Sequence, residues 1–247
     1  MQLFTISLEQ LFSYDPIIVI AIAAGFIVFL TIAVLVSKPE HDFGKAFFFL
    51  LFIISIVGVT AYVAGNTLYK VSISPTKGPV HWHADFRIFK CGIEIDLLDP
   101  SGLSNRIGTP ILHEHGDKRI HIEGLISSLE EVSLANFFKV IGGELDISKF
   151  IVPTNMGSIS MQNGESCPYG NGVEKADVLQ VFLWETEDGT ATQRKLDNFP
   201  AYVLKPEALV PPGDCLIFEF GDSKARTERL CEQYEVAVLR GDLNIQR

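Results

Sequence analysis

Two long apolar runs without a charged side chain most constrain what this chain can fold into. The first extends from Ile17 to Ser37 and ends at Lys38, and the second begins at Ala46 and meets no charge until Lys70. About 20 helical residues cross a hydrocarbon layer of roughly 30 Å. Because neither run has a polar face, the sequence predicts two transmembrane helices, at 17–37 and 46–66, rather than a pair of buried core helices.

The charges around these runs predict how the chain is oriented. The loop 38–45 holds two lysines, whereas the tail 1–16 has no Lys or Arg. The positive-inside rule therefore places the loop in the cytoplasm. The tail and everything after the second helix, namely a polar linker at 67–80 and a domain at 81–247, are then predicted to be extracytoplasmic. The first run has no basic segment before it and no A-x-A site after it, so we expect an uncleaved anchor in a cell-membrane protein with two spans.

The net charge of the domain restricts the classes of partner that it can bind. The chain has a formal net charge of -10, of which residues 67–247 carry -8. Binding to nucleic acid requires clustered Lys and Arg to neutralise phosphates, so nucleic acid is excluded as a partner. The lipid bilayer is the partner that the sequence predicts, and a second membrane or envelope protein is an alternative that it leaves open.

The cysteines agree with an exported domain. All four (Cys91, Cys167, Cys215 and Cys231) follow the second apolar run. Four cysteines in an oxidising compartment allow two disulfides with three connectivities. Cys215 and Cys231 flank the last strand and turn and are the natural pair, which leaves Cys91 with Cys167. Free buried thiols in a cytoplasmic domain are the alternative.

The rest of the domain is predicted to be mainly antiparallel β-structure with one or two helices, so the fold class is α+β. Ser133 is a predicted helix N-cap, and Gly142-Gly143 a predicted helix end. The segment 149–173 is rich in Gly, Asn, Ser and Pro and is predicted to be loop, while the pattern at 226–239 fits a helix or a strand. Strands are predicted within 81–98 with a turn at Cys91-Gly92, within 111–126 with a turn at 116–118, at 178–184, at 190–196 and at 215–220.

The histidines carry the clearest chemical signal, because five of the six in the chain lie between residues 81 and 121. Side chains two apart on a strand point to the same face. We therefore expect His81, His83 and Asp85 to share one face, with Trp82 and Ala84 facing the core. By the same rule His113 and His115 project together, and so do His121 and Glu123.

Such pairs on neighbouring strands can converge on one ion, because strands lie about 4.8 Å apart. Imidazole nitrogens suit Zn, Cu(II), Fe and Ni, so a transition metal is the predicted cofactor. The candidate ligands are His81, His83, His113, His115 and His121, with Asp85, Glu114, Asp117 and Glu123 as further ligands or as acceptors that orient the imidazoles. The alternatives are a polar network in which His, Asp and Arg119 lock the strands together, and a pH-sensing surface.

The two histidine segments also carry a resemblance. The segments HWHADFRIFKCG, starting at His81, and IGTPILHEHGDKRIHIEG, starting at Ile107, resemble a little-characterised group of bacterial and archaeal proteins, often membrane-anchored. That group has an H-x-H strand followed by an "iG…lHTHD…IHIE" block. Glu114 stands where the group usually has Thr, and Ile141 where Trp is common. The resemblance implies an extracytoplasmic domain with a metal site and implies no reaction. The matching residues are His81, His83, Gly108, His113, His115, Asp117, His121, Ile122 and Glu123.

Three functions remain open at this point. The first is a non-catalytic module that binds or hands over a metal ion outside the cytoplasm. The second is a metal-dependent enzyme of unknown substrate, which needs an open coordination position and a base such as Glu114 or Glu123. The third is an envelope scaffold whose histidines hold strands together. The sequence contains no H-E-x-x-H, G-x-S-x-G or phosphate-binding glycine loop that would favour a particular enzyme.

Overall fold

The computed structural model describes residues 8–168, 176–204 and 213–246. The chain divides into two compact units, the first ending at Lys77 and the second beginning at Gly78. The first consists of helices and the second is built mainly from strands, which confirms the predicted α+β class.

The first unit contains three helices in its described part, α1 (Leu8–Leu11), α2 (Pro16–Ser37) and α3 (Asp42–Ile73). The carboxylate of Asp15 accepts a hydrogen bond from the backbone N–H of Ile17 at 2.8 Å, and Pro16 occupies the first turn, where its missing N–H costs nothing. Lys38, with φ of 43°, ends α2 in the left-handed conformation.

Both α2 and α3 are long and apolar enough to cross a membrane. Their Ile, Val, Leu and Phe side chains are mostly exposed, whereas the core helix of a soluble protein would bury them. Helix α3 continues to Ile73, so it extends into the segment 67–80 that was predicted to be a polar linker.

In the described residues of the second unit, nine strands form one mixed sheet and three more form a small antiparallel sheet. The order in the large sheet is β12-β10-β9-β11-β1-β5-β4-β3, with β2 paired to β1. The pairs β1–β11 and β10–β12 are parallel and the others antiparallel. The small sheet has the order β6-β7-β8. The strands are β1 (Val80–Lys90), β2 (Ile93–Ile95), β3 (Ile107–Gly108), β4 (Leu112–Glu114), β5 (Arg119–Gly124), β6 (Glu144–Leu145), β7 (Lys149–Thr154), β8 (Gly157–Gln162), β9 (Val178–Glu187), β10 (Thr190–Leu196), β11 (Asp214–Gly221) and β12 (Asn244–Ile245).

One face of the large sheet packs against helix α4 (Leu134–Val140) and the small sheet. The three layers share one hydrophobic core, in which Phe86 of β1, Phe138 of α4 and Phe150 of β7 are buried. The hydroxyl of Ser133 accepts a hydrogen bond from the backbone N–H of Asn136 and so caps α4, as predicted. A short 3-10 helix at Glu130–Val132 precedes α4 in the chain, and a second one at Phe199–Ala201, much later in the chain, also contacts it.

The opposite face is covered at one end by helix α5 (Glu232–Arg240). Tyr234 and Ala237 of α5 pack on Phe89 of β1, Ile217 of β11 and Trp184 of β9, forming a second buried cluster. The sequence pattern at 226–239 fitted either a helix or a strand. In the structure this segment is helical from Glu232 onward, and the helix covers apolar strand residues.

The prediction of loop at 149–173 was wrong over its first part. Residues 149–162 form the hairpin β7–β8, whose turn uses Gly157 with φ of 109°. The polar composition of this segment hid a period of two, in which Phe150 and Val152 face the core. Residues 169–173 of that range lie outside the described residues.

Two disulfides lie in the described residues, Cys91–Cys167 and Cys215–Cys231, the pairing that the sequence favoured. Cys91, with φ of 53°, occupies the turn between β1 and β2 and ties it to the segment after β8. The second bridge joins strand β11 to the N-cap of α5. Both stabilise the fold chiefly by restricting the unfolded chain, and both agree with an oxidising compartment.

Candidate metal centre

A row of histidines crosses three neighbouring strands on the face opposite the main core. His83 of β1 stands directly opposite His121 of β5, and His121 stands opposite His113 of β4. Residues directly opposite in an antiparallel pair share a face. The centroids of the His83 and His121 rings are 4.7 Å apart, and the His113 and His121 rings stack at 5.5 Å.

The local sequence explains why the imidazoles take this face. On each strand the alternate positions carry apolar side chains, such as Ala84, Leu112 and Ile122, and these are buried in the main core. Because the side-chain period of a strand is two, burying these residues turns the histidines to the other face. The expected division between His81 and His83 on one side and Trp82 and Ala84 on the other is therefore observed.

Two glycines allow the backbone to approach the histidine strands. Gly108, with φ of 111°, pairs with His113, and a Cβ atom there would lie 2.5 Å from the carbonyl oxygen of Leu112. Gly213, with φ of 80°, precedes β11, and a Cβ atom there would overlap the carbonyl group of His83. A side chain at either position would displace a histidine strand.

The histidines form two groups whose possible ligand atoms lie within 4.8 Å of one another, and each group could hold a metal ion. We name the first the outer group and the second the inner group; they share His121. The outer group is His81, His83, His121 and Glu123, and the inner group is His113, His115 and His121. Ligand nitrogens around a tetrahedral ion at roughly 2.0 Å lie about 3.3 Å apart, so modest side-chain rotations would bring either group to bonding distance.

The turn between β4 and β5 holds the acceptor for the shared histidine. The Glu114 carboxylate accepts hydrogen bonds from the backbone N–H groups of Asp117 and Lys118, at 2.7 and 3.1 Å. It thereby fixes Asp117, whose Oδ2 lies 3.0 Å from Nε2 of His121. Burial raises the pKa of Glu114, and the backbone N–H groups oppose that rise. Glu114 belongs to neither group.

The hydrogen bonds of the inner group define which nitrogens are left for a metal. A carboxylate can only accept, so Nε2 of His121 carries the proton and Nδ1 keeps its lone pair. Nδ1 of His115 lies 2.5 Å from the carbonyl oxygen of Asn105, so that nitrogen donates and Nε2 keeps the lone pair. Orientation of a ligand imidazole by a carboxylate or carbonyl is the usual arrangement in metal sites.

The outer group reaches the solvent. The side chains of His81 and Glu123 are 64% and 43% exposed, and Nε2 of His81 lies 3.0 Å from Oε1 of Glu123. His83 lies between the exposed His81 and the buried His121, with its ring centroid 4.6 Å from that of His81. The outer group therefore combines three imidazoles with a carboxylate at the edge of the site.

The surroundings hold three of these imidazoles neutral. Burial, with the neighbouring His121 and His81, lowers the pKa of His83 from 6.5 to about 4. Burial lowers the pKa of His113, with a smaller contribution from His115. Burial also lowers the pKa of His121, against the opposing effect of Asp117. A histidine must be neutral to bind a metal, so little proton release is needed here.

Two buried ring nitrogens in the row have no hydrogen-bond partner among the described residues. They are Nδ1 of His113 and Nδ1 of His121, in residues that are 1% and 8% exposed. Leaving a buried polar atom unsatisfied costs about 1–3 kcal/mol. Both residues belong to the inner group, which could hold a metal ion.

Asp85 ends the row without joining either group. It pairs with Arg119, whose Nε donates to Oδ1 of Asp85 at 2.7 Å. Burial raises the pKa of Asp85, and the hydrogen bond from Arg119 opposes the rise. This ion pair separates the histidines from the part of the face that α5 covers.

The sequence did not single out Asn105 and Gly213. Asn105 has φ of 45°, a left-handed conformation that Asn adopts more readily than most residues. Its residue type was therefore the only signal in the sequence for its position. The role of Gly213 depends on the pairing of β11 with β1, which no local pattern reveals.

No family model, curated protein or solved structure matches this chain. The geometry of the site is therefore the basis for the function proposed below.

Proposed function

We propose that this chain is a membrane-anchored protein whose extracytoplasmic domain binds a transition-metal ion through its strand-borne histidines. The inner group is the main binding site, with His113, His115 and His121 as ligands and Asp117 and Asn105 as the acceptors that orient two of them. The role is binding and handling of the ion rather than chemistry on a substrate.

The observation that carries this proposal is the pair of buried Nδ1 atoms, on His113 and His121, that lack a hydrogen-bond partner among the described residues. A network built only to hold strands together would gain by satisfying its buried nitrogens, as buried polar groups nearly always are. Both residues belong to the inner group, whose possible ligand atoms lie within 4.8 Å of one another, and such a cluster of nitrogens is instead what a metal ion requires.

The alternatives account for fewer of these contacts. The scaffold alternative explains the pairs His121–Asp117, His81–Glu123 and Asp85–Arg119, but it leaves the two Nδ1 atoms unsatisfied. The enzyme alternative needs a base beside the ion. Glu114 is bound to the backbone of its own turn, and Glu123 faces His81 at the exposed edge. Neither contact favours a particular reaction.

The ligand chemistry narrows the ion to a class. An all-imidazole site suits Zn²⁺, Cu²⁺, Fe²⁺ or Ni²⁺, and carboxylate-dependent ions such as Ca²⁺ and Mg²⁺ are disfavoured. Three neutral imidazoles leave the charge of the ion uncompensated, and Asp117 supplies a carboxylate next to the ligand His121.

Elemental analysis of the full-length protein tests the proposal directly. The protein would be purified in detergent without a His-tag or chelator, beside the double variant His113→Ala/His115→Ala and the control His41→Ala. We expect near-stoichiometric metal in the wild type and the control, and its loss in the double variant. His41 is the matched control because it lies outside the domain, at the start of α3.

The absence of metal from the wild type, even after incubation with each candidate ion, would contradict the proposal. Circular dichroism would check that the double variant folds. If it does not, the single variant His115→Gln replaces it, since His115 is only half-buried and its loss removes one inner ligand.

The orientation of the domain is tested separately. A cysteine introduced as His41→Cys, in the loop between the two apolar helices, should react with an impermeant maleimide only after the cells are permeabilised. The wild type is a clean background, because the four native cysteines form disulfides. Reaction in intact cells would reverse the proposed topology.

A further inference from the structure

The two histidine groups differ in access to solvent although they share a ligand. In the inner group His113 and His121 are 1% and 8% exposed and His115 is half-buried, whereas in the outer group the side chains of His81 and Glu123 are 64% and 43% exposed. An ion arriving from solvent therefore meets the outer group first.

The shared histidine can serve only one ion at a time. A neutral imidazole has a single lone pair, and on His121 it is at Nδ1 because Asp117 holds the proton on Nε2. Bridging two ions would require removal of that proton and loss of the hydrogen bond to Asp117. The two groups are thus alternative positions for one ion.

The ring spacing places His121 between the two positions. Its centroid lies 4.7 Å from that of His83 on one side and 4.8 Å from that of His115 on the other. An ion bound to His121 therefore has ligands of both groups one ring spacing away, so its other ligands can be exchanged one at a time.

The charges of the two groups also favour movement of an ion from the outer group to the inner group. The outer group includes the exposed carboxylate of Glu123, which attracts a cation at the surface of the domain. The inner group offers three imidazoles, two of which are oriented by fixed acceptors, so less ordering is required when the ion binds.

We propose that His81, His83 and Glu123 form an entry site, from which a divalent transition-metal ion passes to the inner group through His121. This inference depends on the proposed metal-binding function. It assigns the exposed histidines a role in the rate of uptake rather than in the final affinity.

Stopped-flow binding of Co²⁺ to the full-length, chelator-stripped protein tests this, since Co²⁺ absorbs visible light when nitrogen ligands bind it. We expect one Co²⁺ per chain in the wild type. The entry variant His81→Ala/Glu123→Gln should still bind one Co²⁺ at equilibrium with comparable affinity, but its association should be at least about tenfold slower. The control is Glu187→Gln, which removes an exposed carboxylate elsewhere and should leave the rate unchanged.

The inner variant His113→Ala/His115→Ala should show fast, weak binding by the outer group. Two ions bound per wild-type chain would overturn the inference, and so would an unchanged association rate in the entry variant or complete loss of its equilibrium binding. No Co²⁺ binding by the wild type would instead overturn the proposed function, so the two failures are distinguishable.

Discussion

One face of the large sheet is built in two different ways along strand β1. In the C-terminal half, Phe89 is buried against the residues of α5. The guanidinium carbon of Arg229 lies over its ring, 3.8 Å from the ring centroid. In the N-terminal half, the side chains of His81 and His83 project from the same face. Neither residue belongs to that buried cluster. The same strand therefore provides apolar packing at one end and nitrogen lone pairs at the other.

The difference shows how the packed half supports the histidine half. Lys118, in the turn beside Asp117, donates hydrogen bonds to Glu232 of α5 and to Glu94 of β2. Glu94 also accepts from the guanidinium of Arg87, which lowers the pKa of that carboxyl group. The helix that covers the apolar half thus also holds the turn that places the Asp117 carboxylate against His121.

The largest expected effect is a difference in the free energy of unfolding between variants in the two halves of this face. Phe89→Ala removes a buried aromatic ring and should lower the free energy of unfolding by about 3–5 kcal/mol. His81→Ala, at an exposed position of the same strand face, should change it by less than about 0.5 kcal/mol. Urea unfolding of the metal-free, full-length protein in detergent, followed by near-ultraviolet circular dichroism, measures both.

Equal losses in the two variants would remove the distinction between a packed half and a binding half. Phe89→Ala protein that remains folded should still bind metal, because the ring belongs to the buried cluster beneath α5, which includes none of the histidines.

A smaller effect concerns the connection between the halves. Asp117→Asn keeps the shape of the side chain but removes the charge that orients His121, and it should weaken metal binding by about 10–100-fold. Titration with a competing chelator measures this affinity. The control is Asp197→Asn, which changes an exposed carboxylate outside both histidine groups. This variant should bind metal as the wild type does. An unchanged affinity in Asp117→Asn would mean that the carboxylate does not orient the ligand.

Local patterns in the sequence predicted much of this arrangement. The two apolar helices, the turns at Cys91-Gly92 and at 116–118, and the capped helix α4 follow from periodicity and turn residues that act within a few positions. The sharing of one face by His81 and His83 follows from the same rule. These features need only short-range geometry.

Long-range pairing was not predictable. The opposition of His83, His121 and His113 depends on the register of three strands, and the parallel pairing of β1 with β11 joins segments more than a hundred residues apart. The hairpin at 149–162 was missed because polar and turn residues outnumber its core positions, Phe150, Val152 and Met161. A single sequence holds no record of which strands meet, so the division into inner and outer groups came only from the structure.

The smallest expected effect is a difference in pH dependence between the halves. The pKa of His83 is lowered from 6.5 to about 4, so the unfolded chain binds more protons than the folded one between these values. Stability of the metal-free protein should therefore fall as the pH is lowered from 6.5 towards 4, and should not change further from this group below pH 4. The lowered pKa values of His113 and His121 act in the same direction.

Glu94 in the packed half behaves differently although its pKa is also lowered. A carboxyl group of this kind contributes stability above its usual pKa of 4.5 and loses it only as the pH falls below that value. His83→Gln should therefore reduce the loss of stability between pH 6.5 and 4, whereas Glu94→Gln should leave that slope in place. Unfolding curves across this range, with histidine ring resonances followed by NMR, would separate the two contributions. Protonation of His83 near pH 6.5 would mean that its ring is more hydrated than its place between His81 and His121 implies.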